Sequence, residues 1–151
     1  MIFPFGINPS QKDAVFRALS SQVSIVEGPP GTGKTQTILN IIANIVLRGK
    51  TIALVSGNNS ATNNVLEKLE KNGLDFICAS LGNRENKEKF LENQSESYPD
   101  MTGWNLPHEK LSSLQSSITK LTAELDEMLK ARNRVAIKYL HNERYLQYST
   151  M

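Results

Sequence analysis

The chain has 151 residues, with 17 Lys and Arg against 15 Asp and Glu for a formal charge of +2; 39% of residues are hydrophobic and 21% charged. That length fits about one domain, and the near-neutral balance excludes a nucleic-acid partner held by bulk positive charge, so any such contact must be local. A single cysteine, Cys78, excludes an intramolecular disulfide and a multi-cysteine metal site and suits a reducing, cytoplasmic setting; no apolar run approaches the roughly 20 residues that span a bilayer, and the start MIFPFGINPS lacks the pattern of a secretory leader.

Residues 1–8 read as a lead-in broken by Pro4 and Gly6. A short helix is predicted from Pro9 to about Ser20, with Ala14, Val15, Ala18 and Leu19 on one face. Residues 23–27 read as a β-branched strand that runs into a glycine-rich turn. Ile38, Ile41, Ile42, Ile45 and Val46 then recur at helical spacing, and Gly49 ends that helix. Residues 51–55 read as a second strand, Ser60 begins a helix carrying Val65, Leu66 and Leu69 that closes at Gly73, and residues 75–79 read as a third strand. The alternation of strand and helix predicts an α/β class fold with a parallel sheet and right-handed crossovers.

Beyond residue 82 the character changes. Residues 83–92 form a charged helical stretch in which Glu85 and Lys89 can pair across one turn, as a solvated face would. Residues 93–105 are polar and rich in helix breakers, a linker. From residue 106 a long helix is expected, over about 107–145, in which Leu111, Leu114, Ile118, Leu121, Leu125 and Met128 keep the alternating 3, 4 spacing of a heptad seam. Arg132 interrupts that seam before Val135 and Tyr139 resume it.

Between the first strand and the second helix stands Gly28-Pro29-Pro30-Gly31-Thr32-Gly33-Lys34-Thr35, which fits G-x-x-x-x-G-K-[ST] in the strand–helix context that motif requires. Dense negative charge on a phosphate needs several backbone N–H groups converging on one point, and glycines let the chain bend there without a clashing Cβ. The helix that follows aims its positive end at the same point. Lys34 would reach the β- and γ-phosphates, the Thr35 hydroxyl would hold Mg²⁺, and Gln36 follows within the nucleotide-binding set. A plain glycine-rich turn is the bland alternative.

Upstream, Asn8-Pro9-Ser10-Gln11 supports two uses of one side chain. Asn8 as N-cap with Gln11 three residues on makes a capping-box variant, with Pro9 at the first helical position. The Gln11 amide, donor and acceptor at once, equally suits the N6 and N7 edge of adenine. After the second strand, the polar run 56–64 lies where open α/β sheets bind ligands, at the carboxyl end of a strand. Its bland use is an Asx or Ser cap for the next helix, which Ser60 could supply.

Together these segments resemble superfamily 1 helicases, in the branch of the nonsense-mediated-decay helicase and its bacterial relatives. NPSQ resembles the Q-motif, GPPGTGKT is similar to motif I, and SGNNSATNNVLEKL resembles motif Ia. In that family motif Ia commonly reads A-P-S-N-x-A-x-D-x-L; here Gly57 stands for the proline, Asn58 for the serine, Asn63 for the aspartate and Val65 for the leucine, while Asn59 and Ala61 are kept. FICASLGNRENKEKF resembles the segment after motif Ia in bacterial members. The resemblance spans roughly residues 5–92 and implies a partial RecA-like ATP-binding domain over 1–92. Residues 106–151 would then be the first half of an inserted helical hairpin, a coiled-coil arm. It further implies ATP with Mg²⁺ as ligands and single-stranded DNA or RNA as partner of the parent. Ser56, Asn58, Asn59 and Thr62 would contact the nucleic-acid backbone.

Hydrolysis needs an acid on a strand end to hold Mg²⁺ and another to orient water. The only adjacent acidic pair, Asp126-Glu127, lies inside the heptad helix. The expectation is therefore an ATP-binding fragment of an ATP-dependent helicase with little turnover of its own, self-associating through the exposed arm. The alternative is another P-loop ATPase, AAA+-like, whose coiled coil binds a partner; a coiled-coil assembly module with a vestigial nucleotide site is a third reading.

Overall fold

Local signals decide where the helices begin and end. In the computed structural model, which describes residues 1–82, 84–93 and 99–148, α1 (Pro9–Ser20) starts at Asn8, whose side chain accepts from the Gln11 N–H while the Gln11 side chain accepts from the Asn8 N–H. This reciprocal capping box, with Pro9 in the first turn, satisfies backbone donors that have no helical partner. Helix α2 (Lys34–Leu47) ends as Gly49 at φ +65 lets its N–H reach the Val46 carbonyl at 2.8 Å and the Lys50 N–H reach Ile45 at 3.1 Å. That is the paired closure for which a left-handed glycine is suited. Helix α3 (Asn59–Glu70) closes the same way, with Gly73 bonding Glu70 at 2.8 Å and Leu74 bonding Leu69 at 2.9 Å.

Helices α1 and α3 each pack on α2. The apolar core joins Leu39 and Ile42 of α2 to Val65 and Leu69 of α3, with Phe5, Ile38, Leu74 and Cys78 packed against them. On α1 Val15 is fully buried, Ala14, Ala18 and Leu19 of the expected apolar face are half-buried, and Gln11 is buried as well. Burial also lifts the Cys78 thiol above its ordinary pKa of 9.0, aided by the negative charge of Asp75 and Glu70.

The three expected strands are corrected: no strand forms among the described residues. Residues 23–27 and 51–55 carry neither helix nor ladder, and Val23, Ile25 and Val55 are each more than 80% exposed. A strand is completed by N–H and C=O groups on a neighbour, and these segments have no neighbour in register. In the third segment, Asp75–Ile77 winds into a 3₁₀ turn, with Cys78 N–H bonded to the Asp75 carbonyl at 2.8 Å. The parallel sheet is thus absent among the described residues.

The chain divides into two compact units, Met1–Asn105 and Leu106–Met151. Within the first, α4 (Arg84–Asn93) carries an Arg84–Glu88 ion pair at 2.8 Å across one turn. The Lys89 side chain expected to pair with Glu85 lies outside the described residues. Trp104 stands edge-on to Phe76, ring centroids 5.7 Å apart, so the end of the expected linker rests on the first unit. The hydroxyl and N–H of Thr102 both donate to Asp100, which lowers its carboxyl pKa below the ordinary range.

The second unit is α5 (His108–Tyr148), 41 residues long, or about 60 Å at 1.5 Å per residue. Its seam residues Leu111, Leu114, Ile118, Leu121, Leu125 and Met128 are all exposed, Met128 by 71%. Lys130 pairs with Glu127 at 3.1 Å on its polar surface. The Tyr139 side chain lies outside the described residues.

Candidate functional site

The loop of residues 28–33 is held from within before anything else touches it. The Thr32 hydroxyl donates to the Pro29 carbonyl at 2.8 Å, and the Thr32 N–H reaches the same carbonyl at 3.4 Å. Gly31 at φ +85 and Gly33 at φ +82 supply the left-handed steps. Gly33 is doubly constrained, because a Cβ there would stand 2.1 Å from the Gln11 amide nitrogen. It also starts α2 with no side-chain cap, so the helix's first N–H groups face the loop without a capping oxygen.

Lys34 folds back over this loop. Its ammonium donates to the Pro29 carbonyl at 3.0 Å and to the Gly28 carbonyl. Pro30, Gly31, Gly33, Lys34, Thr35 and Gln36 line a cleft of about 620 Å³. Sequence reasoning did not assign Phe5, Leu39, Lys68 or Asn72, which line it too. Phe5 and Leu39 reach it as core residues, and Lys68 and Asn72 reach it from the end of α3, a placement only tertiary packing decides.

Gln11 braces the loop from behind. While its Oε1 caps α1 by accepting the Asn8 N–H at 3.0 Å, its Nε2 donates to the Thr32 carbonyl at 3.2 Å, the Gly33 carbonyl at 3.4 Å and Gln36 Oε1 at 3.1 Å. The cap expectation for Gln11 therefore has observed bonds, and the same side chain also holds the loop.

Asn58, and not Ser60, caps α3: its Oδ1 accepts from the Ser60 N–H and hydroxyl, both at 2.9 Å. Its own N–H donates to Ser56 Oγ at 3.2 Å, and Thr62 Oγ1 donates to the Asn59 carbonyl at 2.9 Å. Ser56, Asn58, Asn59 and Thr62 thus form one capping cluster, and none of them lines the cleft. No group of three or more His, Cys, Asp or Glu side chains among the described residues could hold a metal. No helix among them is long and apolar enough to cross a membrane.

A family profile described as an AAA domain matches residues 6–150. The DNA polymerase alpha-associated DNA helicase A of Schizosaccharomyces pombe is 40% identical over 72 residues, covering 47% of this chain and 11% of that protein. An uncharacterized ATP-dependent helicase of Methanocaldococcus jannaschii is 32% identical over 130 residues, 85% of this chain and 19% of that protein. Regulator of nonsense transcripts 1 of Caenorhabditis elegans is 36% identical over 83 residues, 54% of this chain and 8% of that protein. The chain therefore spans less than a fifth of each of these relatives. No solved structure matches it. With nearly its whole length matched, and the glycine-rich loop standing before α2, the chain belongs to the AAA domain family and carries a P-loop NTPase type of sequence.

Proposed function

We propose that the chain is the ATP-binding part of an ATP-dependent superfamily 1 DNA or RNA helicase, within a RecA-like domain. One observation carries this reading: the Gln11-braced loop sets Lys34 and Thr35 side by side on a cleft at the start of α2. The S. pombe and M. jannaschii relatives are named helicases, which supports this reading over an AAA+-like remodeller with a partner-binding coiled coil. The segment FICASLGNRENKEKF supports placing it in the bacterial branch.

The roles follow from the chemistry of each group. Backbone N–H groups of residues 31–35 cradle the phosphates, where the helix dipole and the glycine turns favour an anion. The Lys34 ammonium exchanges the Gly28 and Pro29 carbonyls for β- and γ-phosphate oxygens, a stronger charge-assisted contact. The Thr35 hydroxyl fits a divalent ion at the same edge of the cleft. Bound Mg²⁺ supplies charge neutralisation between phosphates. Gln11 keeps the loop in place, and its amide suits the adenine edge. Ser56, Asn58, Asn59 and Thr62 carry hydroxyls, amides and no charge, a set that positions a nucleic-acid backbone without reading bases. The exposed seam of α5 is a coiled-coil surface through which copies of this chain associate. The lone Cys78 supports a cytoplasmic setting.

In a protein carrying this chain with the second RecA-like domain, single-stranded nucleic acid should stimulate ATP hydrolysis, and Lys34→Ala should abolish it. ATPase that ignores nucleic acid and requires a protein partner would favour the AAA+-like reading.

A further inference from the structure

Gln36, Asn40 and Asn44 stand four residues apart on α2 and so share one face. Asn40 and Asn44 are 0% and 2% exposed, in a helix rich in isoleucine. A buried amide is costly unless its polar atoms are bonded. Here they are. Asn44 Oδ1 accepts the Ile2 N–H at 2.9 Å, and its Nδ2 donates to the Ile2 carbonyl at 2.7 Å and the Asn40 carbonyl at 2.8 Å. Asn40 Oδ1 accepts the Phe5 N–H at 3.3 Å, and its Nδ2 donates to the Gly6 carbonyl at 2.8 Å. Gln36 Nε2 donates to the Phe5 carbonyl. Side chains of one helix therefore bond the backbone of residues 2–6 as a neighbouring strand would.

The row does not stop at the lead-in. Gln36 Oε1 accepts from Gln11 Nε2 at 3.1 Å, and that nitrogen holds the Thr32 and Gly33 carbonyls. A continuous set of hydrogen bonds thus runs from Ile2 to the glycine-rich loop. Apolar residues would bury as well; amides add direction and a definite partner at each step.

We propose that Asn40 and Asn44 are positioning residues for nucleotide binding, coupling the N-terminal segment to the loop through Gln36 and Gln11. The proposal rests on the reading that the loop holds nucleotide phosphates. Neither asparagine lines the cleft; each acts through the segment it pins. Because coupling is reciprocal, an N-terminal segment that orders the loop must itself be tightened when the loop is occupied.

The test follows backbone amide exchange by NMR in the whole chain, with and without saturating Mg·ADP, after calorimetry has measured binding. Exchange at Ile2 and Phe5 should slow by about fivefold or more, the lower end of ordinary coupling. Asn40→Leu should weaken Mg·ADP by a similar factor and remove the slowing at Ile2. Asn40→Asp keeps the acceptor for Phe5 and loses the donor to Gly6, so it should fall between. A row that only packs the lead-in predicts lowered melting in these variants with no nucleotide-dependent exchange at residues 2 and 5. Mg·ADP binding with unchanged exchange at Ile2 and Phe5 in the unaltered chain overturns the proposal, whether or not Asn40→Leu folds. Absence of Mg·ADP binding overturns the nucleotide reading beneath it and the proposal with it, and calorimetry alone distinguishes that failure.

Discussion

Gln11→Glu exchanges one amide nitrogen for oxygen with almost no change of shape, and it strikes the loop's brace directly. The Oε1 that accepts the Asn8 N–H is kept, so the capping box survives. The nitrogen that faces the Thr32 and Gly33 carbonyls and Gln36 Oε1, at 3.1 to 3.4 Å, becomes an oxygen facing three acceptors. Three long hydrogen bonds, each at the low end of the usual 0.5–1.5 kcal/mol, amount to about 1.5 kcal/mol. The site is only 7% exposed, so ionisation there is disfavoured and the new carboxyl's folded pKa rises above its unfolded value of about 4.3. The sign follows. Below about pH 4 the carboxylic acid keeps one proton to donate in place of the amide's two, and the variant should recover part of the deficit. As pH rises through the folded value that stability is lost, so the deficit should be fully open by pH 7. Urea unfolding followed by helical ellipticity at both pH values reads this out. With an m-value of about 1–3 kcal/mol/M, the midpoint should fall by about 1 M relative to the parent at pH 7. Equal midpoints at pH 7 would show that the amide does not hold the loop. Gln11→Ala then separates the brace from base readout: a smaller preference for ATP over GTP supports adenine contact, and equal loss of both nucleotides counts against it.

Three further outcomes are expected. Gly33→Ala should lose about 1–2 kcal/mol from the left-handed backbone alone and more from the 2.1 Å clash with Gln11, so a neutral effect on thermal unfolding would contradict the loop geometry. Cys78 should alkylate with iodoacetamide along a pH profile displaced above that of a free thiol, since burial favours its neutral form; the matching stability is present below pH 9.0 and lost above it, and an unshifted profile would place Cys78 in solvent. Sedimentation at tens of micromolar should show a dimer that Leu121→Asp breaks, because six apolar seam residues lie exposed on α5; a monomer unaffected by the substitution would remove self-association from the account.

What could be read from the sequence was what local chemistry fixes. Asn8, Pro9 and Gln11 announce the start of α1, and Gly49 and Gly73 mark the ends of α2 and α3, because caps and left-handed steps involve only a few adjacent residues. The glycine-rich loop was legible for the same reason. The strands were not, since β-branched residues at 23–27 and 51–55 record only a preference, and a ladder depends on partners distant in sequence. The buried face of α2 was legible only in part: Ile42 of the expected stripe is in the core and Ile38 packs against it, while Leu39 and the amides of Asn40 and Asn44, also inside, carry no isoleucine signal. A signal for it existed: from Thr35 to Leu47 the helix carries no charge, so amides at i+4 spacing had no polar face to join. Ser60 and the asparagines before it are equally good caps by residue type, so only the folded backbone decides that Asn58 caps α3. The cleft's far wall, Lys68 and Asn72, comes from α3 and leaves no local trace near the loop.

Calorimetric titration of the purified chain with Mg·ADP tests most directly whether residues 28–35 form a phosphate site in which Lys34 carries the charge contact. Saturable one-to-one binding is expected, weakened at least tenfold by Lys34→Ala while the melting curve without nucleotide stays within about 0.5 kcal/mol of the parent, since Lys34 is exposed and makes only loop contacts. Heats indistinguishable from dilution, or binding that Lys34→Ala leaves unchanged, would contradict it.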